Sequence, residues 1–501
     1  MTNLILIVLI LALIADVAGQ QPTTSHQIEV RGRLHTRETF GPTTGNIIKV
    51  GRTYAESGAE VPYSTSQNNY LQMFFNYVNN VTDGILVNGV RYRVQQVVYN
   101  DASDCELINI LYTRLVTYDD VDILIGPVAD TCEGASIVAE QYQVPLVNAG
   151  NYNTRFDYPN GLNWTFTINT NPFNLAKGCI DQFAHVGVRT AVVAGTEILQ
   201  AAFGTSTNYT LATEAVPIKV LDYVVLDQAK LDDNATSLAY MTPFIQKWQT
   251  INNGTGPDVF IGGGGDTAGT INILEAMRRN GFTVNGQYHW IGPNIAETRA
   301  QLSWTGYGVT TGSGFDASTF NFSDPILGNS QVYVSLFQQT FNAEASYFDA
   351  SNVAAGIIAL RAIQNAGTLN KTDVRDKLLH FNESTILGLM TMGPDGYLEN
   401  VPNYCFQISA NGSYHPLFDP NQFNLPHSVD LVYPYVVSYP PGYIIVPKSW
   451  LDLNKNWFWP VVIIIPIAII TVVIVLFVLY HKYHFIFIPK DDSIPSAPTE
   501  W

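Results

Sequence analysis

Residues Gly263 to Ala268 read GGGDTA, a GxGxxA spacing between a strand-like run and a helix-like one. Such a loop could cradle a pyrophosphate on its backbone N–H groups. The match stands alone, because no acidic residue follows about twenty positions later at a strand end to hold a ribose. The glycines are therefore read as a close-packed loop. No GxSxG, HExxH, P-loop or kinase motif occurs, and the 9 histidines are scattered, none in a recognisable order with a carboxylate and a serine. Neither an enzyme nor a cofactor is expected. The 4 cysteines, Cys105, Cys132, Cys179 and Cys405, lack CxxC spacing, so a metal site is not expected either. As disulfides they allow three pairings. With Lys+Arg 25 against Asp+Glu 42, a net charge of -17 and no basic stripe, nucleic acid is not an expected partner.

The chemistry left is binding, and the elements say where. NIIKVGRTY reads as a strand, and Ser64 to Ser66 can cap a helix with the apolar stripe Tyr70, Leu71, Phe74, Tyr77, Val78 and Val81. Strand and helix patterns then alternate through VDILIG, VPLVNAG, TAVVAG, DVFIGGGG and HWIG. Alternation of this kind predicts parallel sheets covered on both faces by helices, here as two doubly wound halves. In open α/β sheets ligands bind beyond the carboxyl ends of strands. The loops to watch are 54–63, 126–132, 148–153, 195–204, 262–267 and 292–294. Two such rims facing each other make a cleft that can close on a small ligand.

The ends predict the compartment. Leu4 to Ile14 is an apolar run followed by the small residues Ala18 and Gly19, which reads as a signal peptide over residues 1–19. Residues 20–45 are polar and read as a flexible segment. Residues 458–480 carry no charge, enough at ~1.5 Å per residue to cross a hydrocarbon layer of roughly 30 Å. Trp457, Trp459 and Tyr480 suit the two interfaces. A single-pass protein is expected at the plasma membrane or an endomembrane, N-terminus outside and C-terminus cytoplasmic, with residues 426–457 as a stalk and 481–501 as the tail. Sequons at Asn80, Asn163, Asn208, Asn234, Asn253, Asn321, Asn370, Asn382 and Asn411 all lie between the two apolar segments, as expected of a glycosylated exterior. The tail is too short for a folded enzyme domain. Pro495, Ser496, Ala497 and Pro498 resemble a short motif bound by endosomal sorting machinery, against the simpler reading of a disordered tail with no partner.

Four stretches, IIKVGRTYAESG, VVYNDASDCELINILYTRLV, VDILIGPVADTCEGASIVAEQYQVPLVNAGN and SYFDASNVAAGIIALRAIQNAGT, together resemble the type I periplasmic-binding-protein superfamily. That is the fold of bacterial branched-chain amino acid binding proteins and of natriuretic-peptide and metabotropic-glutamate receptor ectodomains. The resemblance covers roughly residues 46 to 418 and implies an α/β, two-lobed type I fold whose chain passes between lobes three times. It implies lobe 1 over 46–168 and 293–385 and lobe 2 over 169–292 and 386–425, with disulfides Cys105–Cys132 in lobe 1 and Cys179–Cys405 in lobe 2. The stretch from Gly126 and Pro127 to Cys132 is longer than the GPxC usual in relatives.

Amino-acid-binding relatives hold the ligand carboxylate on first-lobe loops and the ammonium on an acidic residue of the second lobe. Carried onto this chain, the first set is Asp130, Thr131, Gly150, Asn151 and Tyr152, and the ammonium partner is Asp266, for which helix capping is the competing role. Phe203 matches an aromatic that packs over the ligand, and Tyr63 and Ser57 stand at the rim. The function implied is a receptor or capture protein for an amino acid or related metabolite, with a possible homodimer through lobe 1. The alternative is an adhesion, scaffold or co-receptor subunit whose cleft binds nothing.

Overall fold

The computed structural model describes residues 25–30, 33–58, 60–128, 133–150, 162–168, 176–196, 207–208, 211–212, 214, 217–264, 267–290, 308–313, 315, 321–399, 404–409, 414–417, 431 and 433. Strand β1 (Ser25–Val30) and strand β2 (Arg33–Phe40) precede β3 (Ile47–Tyr54), helix α1 (Val61–Asn80), β4 (Ile85–Val87), β5 (Val90–Asn100) and α2 (Cys105–Thr117). There follow β6 (Ile123–Ile125), α3 (Gly134–Tyr142), β7 (Leu146–Asn148) and β8 (Thr165–Thr167). These strands make an 8-stranded sheet in the order β1-β2-β5-β3-β6-β7-β8, with β4 paired to β5.

Strand β3 is buried on both faces, which is why its sequence lacks a clean two-residue alternation. On one face Val50 joins Leu71 and Phe74 of α1, while on the other Gly51 lies against Val121 and Leu124. Helix α1 begins at Val61, with a proline at its start, rather than at the serines. Ser64 instead turns inward and accepts the Ala55 N–H at 2.5 Å.

The second sheet is built from β9 (Thr190–Thr196), β10 (Lys219–Leu226), β11 (Val259–Gly263), β12 (Gly286–His289), β13 (Val309–Ser313), β18 (Tyr404–Ile408) and β19 (Tyr414–Leu417). It is 7-stranded, in the order β10-β9-β11-β12-β13-β18-β19. Helix α4 (Lys177–His185) packs on one face through Cys179, Ile180 and Phe183. Helices α5 (Asn234–Thr250) and α6 (Thr267–Arg279) cover the other through Met241, Ile245, Trp248, Ile273 and Met277.

Between β13 and β18 the chain returns to the first sheet. The hairpin β14 (Ser323–Asp324) and β15 (Gly328–Asn329) leads to α7 (Ser330–Phe341), α8 (Tyr347–Ala366), α9 (Lys371–Leu379) and the hairpin β16 (Asn382–Thr385) and β17 (Gly388–Thr391). Helix α8 is buried almost all round, so its sequence is apolar beyond one stripe. Its start is set by a capping box between Ser346 and Asp349, and its end by Gly367 at φ 66.

Several expectations need correction. The sheets are mixed rather than purely parallel: β1, β2 and β5 pair antiparallel, and so do β13, β18 and β19. Residues 20–45, expected to be flexible, contain two strands that extend the first sheet beyond β5. Residues 293–385 were expected to lie wholly in lobe 1, yet β13 belongs to the second sheet, gripped between β12 and β18. Conversely, residues after 385 stay longer with the first lobe: Met390, Met392 and Leu398 pack into its core, and Tyr397 bridges to Thr167. Within the stretch expected as a stalk, 426–457, Leu431 is buried in the second lobe and Tyr433 packs beside it, and residues 434–457 lie outside the described residues.

The Cys179–Cys405 disulfide is formed as the resemblance implied. Cys105 is also disulfide-bonded, and Cys132 lies outside the described residues. No helix among the described residues is long and apolar enough to cross a membrane. Residues 1–19, 458–480 and 481–501, which carry the leader, membrane and tail expectations, lie outside them.

Candidate functional site

Parallel strands β3, β6 and β7 end on the same side of the first sheet, and the loops that follow form a rim. Side-chain amides from two helices hold that rim in place. Gln67 of α1 donates to the Gly126 carbonyl at 3.2 Å and to Asn352 Oδ1 at 2.8 Å. Asn352 of α8 in turn donates to the Phe348 carbonyl at 2.8 Å. Both side chains are fully buried, at 0% exposure. Gln67 Oε1 and the Ser136 hydroxyl of α3 are buried without a hydrogen-bond partner. An unmet buried acceptor of this kind costs about 1–3 kcal/mol, which structural polar groups normally avoid.

Gly150 closes the rim from the other side. A Cβ there would stand 2.1 Å from the carbonyl oxygens of both Pro127 and Val128, so the loops after β6 and β7 touch backbone to backbone only because this residue is glycine. Its N–H, expected to serve a ligand carboxylate, donates instead to Asn148 Oδ1 at 2.9 Å. Ser57 is exposed at the end of β3, where its carbonyl accepts from Ser103 Oγ at 2.9 Å. Tyr63 falls in the first turn of α1. Asp130, Thr131, Asn151, Tyr152, Phe203 and Asp266 lie outside the described residues.

The β3 and β5 end of the rim is acidic. Thr53 Oγ1 donates to Asp101 at 2.6 Å, the Tyr54 hydroxyl donates to Glu56, and Asn100 donates to Glu56 Oε2 at 2.7 Å. Burial, and next the Asp101 charge, raise the Glu60 carboxyl above its usual range. Burial, and next the Glu56 charge, do the same to Glu38. Arg52, fully buried below, is drawn down by desolvation to about 10. It remains cationic and donates to Gln96 at 3.0 Å and Asn68 at 2.5 Å.

The second rim is formed by the carboxyl ends of β9, β11 and β12, which run parallel. Here the glycines in and just before the GGGDTA run show their use. A Cβ on Gly262 would stand 2.1 Å from the Ala194 carbonyl, and one on Gly264 would stand 2.1 Å from Gly269. The Gly264 N–H donates to Thr270 Oγ1 at 3.0 Å, and Thr270 donates on to the Trp290 carbonyl at 3.3 Å. These glycines permit tight backbone contacts, in keeping with the close-packed reading.

Beside them His289 is fully buried, stacked on Phe260 at 5.0 Å, with Nε2 3.3 Å from Gln287 Oε1. Desolvation, and next the Arg278 charge, lower it to about 3, so its ring is neutral. His289 Nδ1, Thr196 Oγ1 and Thr311 Oγ1 have no hydrogen-bond partner. The register sets all three on the α6-facing side of the sheet. None of Gln67, Asn352, Thr270 and His289 was singled out from sequence. The available signal was a lone polar residue inside an otherwise apolar run, which periodicity alone reads as a break in the stripe.

Two parallel-stranded rims, each backed by buried side-chain amides or hydroxyls and joined by a chain that passes repeatedly between them, define a two-lobed binding-protein fold. The chain belongs to the periplasmic binding protein family, whose model matches residues 47–412. Among solved structures it is similar to a branched-chain amino acid transporter substrate-binding protein of Streptococcus pneumoniae in complex with isoleucine. The two share 17% identity over 74% of this chain and 99% of the other, with a TM-score of 0.58. A solute-binding protein of Rhodopseudomonas palustris in complex with benzoate shares 15% identity over 79% of this chain and 98% of the other, with a TM-score of 0.57. A transporter substrate-binding protein of Sphaerobacter thermophilus shares 14% identity over 74% and 96%, with a TM-score of 0.60.

Proposed function

We propose that the protein binds a small extracellular ligand, an amino acid or related metabolite, between its two rims. The observation that carries this is the first-lobe rim, whose loops are pinned by the buried Gln67–Asn352 pair while a buried acceptor on Gln67 stays unused. A rim held this firmly is preorganised for a ligand, which lowers the ordering cost of binding. Relatives solved with isoleucine and with benzoate support the size class. In this reading Asp130, Thr131, Asn151 and Tyr152 face the ligand carboxylate, Phe203 packs over it, and Asp266 meets the ammonium. Gly150 shapes the rim instead of donating to the ligand.

The setting proposed is a single-pass surface receptor or capture protein, with residues 1–19 removed, residues 458–480 crossing the bilayer, and sugars on the exposed sequons. Pairing of two copies through the first lobe and use of Pro495 to Pro498 for sorting belong to the same proposal. Thermal shift of the full chain against a panel of amino acids and small carboxylates tests the binding. A ligand held only by the folded state at about 100 times its Kd adds about 2.7 kcal/mol, and loss of that shift in Asp266→Ala would support the ammonium assignment. No shift with any member of the panel overturns the reading.

A further inference from the structure

Among the described residues beyond β19, Leu431 and Tyr433 lie against the second lobe. Leu431 is 8% exposed and packs in the cluster that holds Cys179, Phe183, Tyr288, Cys405 and Leu417. Two residues on, the Tyr433 ring lies over Gly286 at the start of β12: a Cβ built on Gly286 would stand 3.3 Å from Tyr433 Cδ2 and 2.8 Å from Phe183. Only glycine leaves room for both rings. Burial raises the pKa of the Tyr433 hydroxyl, and the neighbouring Asn285 side chain works against that rise.

Asn285 is part of a tight structure at the amino ends of the strands. Its N–H donates to the Asp258 carbonyl at 2.9 Å. The Asp258 carboxylate accepts the N–H groups of Arg189 and Thr190, each at 2.9 Å. Because β9, β11 and β12 are parallel, this is the pole opposite the ligand rim. The Cys179–Cys405 disulfide, which joins α4 to β18, lies further along the sheet: Cys405 is paired in register with Gly312 near the carboxyl end of β13 and with Leu417 of β19.

We propose that Leu431 and Tyr433 clip the chain's exit to the second lobe, at the pole away from the cleft. The second lobe then stays fixed to the exit while the first lobe swings. An apolar anchor at Leu431 and a glycine seat for the Tyr433 ring hold this segment to the lobe. The swinging of the first lobe rests on the cleft-closing reading above, whereas the clip does not.

Hydrogen exchange on the full chain tests the clip without any ligand. Peptides covering 431–433 should exchange at least about tenfold more slowly than the same peptides in denaturant, as expected of a docked segment. Tyr433→Ala should remove that protection, while Tyr433→Phe, which keeps the ring on Gly286, should retain most of it. Unfolded-rate exchange in the unmodified chain, or no change in Tyr433→Ala, overturns the clip. The swing is read by distance measurements between a probe at Ser438 and one at either Tyr118 or Asp232, with an amino acid that shifts the melting temperature. A change in the Tyr118 distance with a constant Asp232 distance supports it, and the reverse pattern overturns it. A chain that responds to no ligand overturns the binding reading, and exchange then decides the clip on its own.

Discussion

Arg37 donates from both Nε and Nη2 to one carboxylate oxygen of Asp119, at 3.0 and 2.7 Å, across 82 residues of chain. The same carboxylate accepts the Tyr99 hydroxyl at 2.8 Å, and Lys49 Nζ reaches the Asp119 carbonyl at 2.9 Å. Asp119 therefore fastens β2 to the body of the first lobe. Burial, the largest single influence, works against the Arg37 charge, and Asp119 and Tyr99 together outweigh it, leaving the guanidinium pKa raised.

Removing either partner should loosen β1 and β2 unequally. Arg37→Ala leaves Asp119 with its tyrosine and should cost about 1–2 kcal/mol, discounted because the arginine side chain is 18% exposed. Asp119→Ala leaves Arg37 without its carboxylate and the Tyr99 O–H without its acceptor, though Arg114 Nε still donates to Tyr99 at 3.0 Å, and should cost about 3 kcal/mol or more. Urea midpoints at constant m-value measure both, and an equal cost for the two would refute the ordering.

Gly150→Ala should damage the first rim specifically. The new Cβ would stand 2.1 Å from two carbonyl oxygens, too close for any side-chain rearrangement to relieve. A stability loss above about 2 kcal/mol is expected, with ligand response weakened further in whatever fraction still folds. A variant with unchanged melting and binding would mean that the two loops are not in contact.

The Cys179–Cys405 bridge spans 226 residues, a loop that takes in the whole C-terminal part of the first lobe. Its removal by the paired substitution Cys179→Ala with Cys405→Ala should cost about 3–5 kcal/mol, chiefly by freeing the unfolded chain. Calorimetry should show the second lobe melting first.

Acid stability should carry the mark of His289. Its folded pKa is about 3 against an ordinary 6.5. Above pH 6.5 both folded and unfolded states are neutral there, so the contribution is fully present. As pH falls from 6.5 towards 3 the unfolded chain binds a proton that the folded chain refuses, and up to about 4 kcal/mol is lost. His289→Phe, which keeps a ring on Phe260, should flatten that slope in unfolding measured between pH 7 and 4.

Sequon use should follow exposure. Asn80, Asn163, Asn234, Asn253, Asn321, Asn370 and Asn382 are exposed. Asn370 caps α9 through Oδ1 alone, which leaves Nδ2 for a sugar. Asn208 has its Oδ1 buried without a partner and should be unmodified. Asn411 lies outside the described residues. Glycopeptide mass spectrometry of the chain expressed through a eukaryotic secretory pathway gives the occupancies, and a fully occupied Asn208 would contradict the burial.

The α/β class, the strand cores at Val50, Ile123 and Ile261, and the Cys179–Cys405 pairing implied by the family resemblance were all legible in the sequence. The class and the strand cores depend on local period and on chain order, both written along the chain, whereas the pairing came only with the resemblance. What only the tertiary structure decided depends on partners far apart in sequence. Strand β13 joined the second sheet because β18, arriving nearly a hundred residues later, grips its free edge. The polar run before β3 became two strands because β5 offered an edge and Asp119 a counter-charge. Gly150 lost its expected ligand role to Asn148, two residues away, through a turn that no periodicity reports. Gln67 and Asn352 are 285 positions apart, and their meeting at the rim is a property of packing alone.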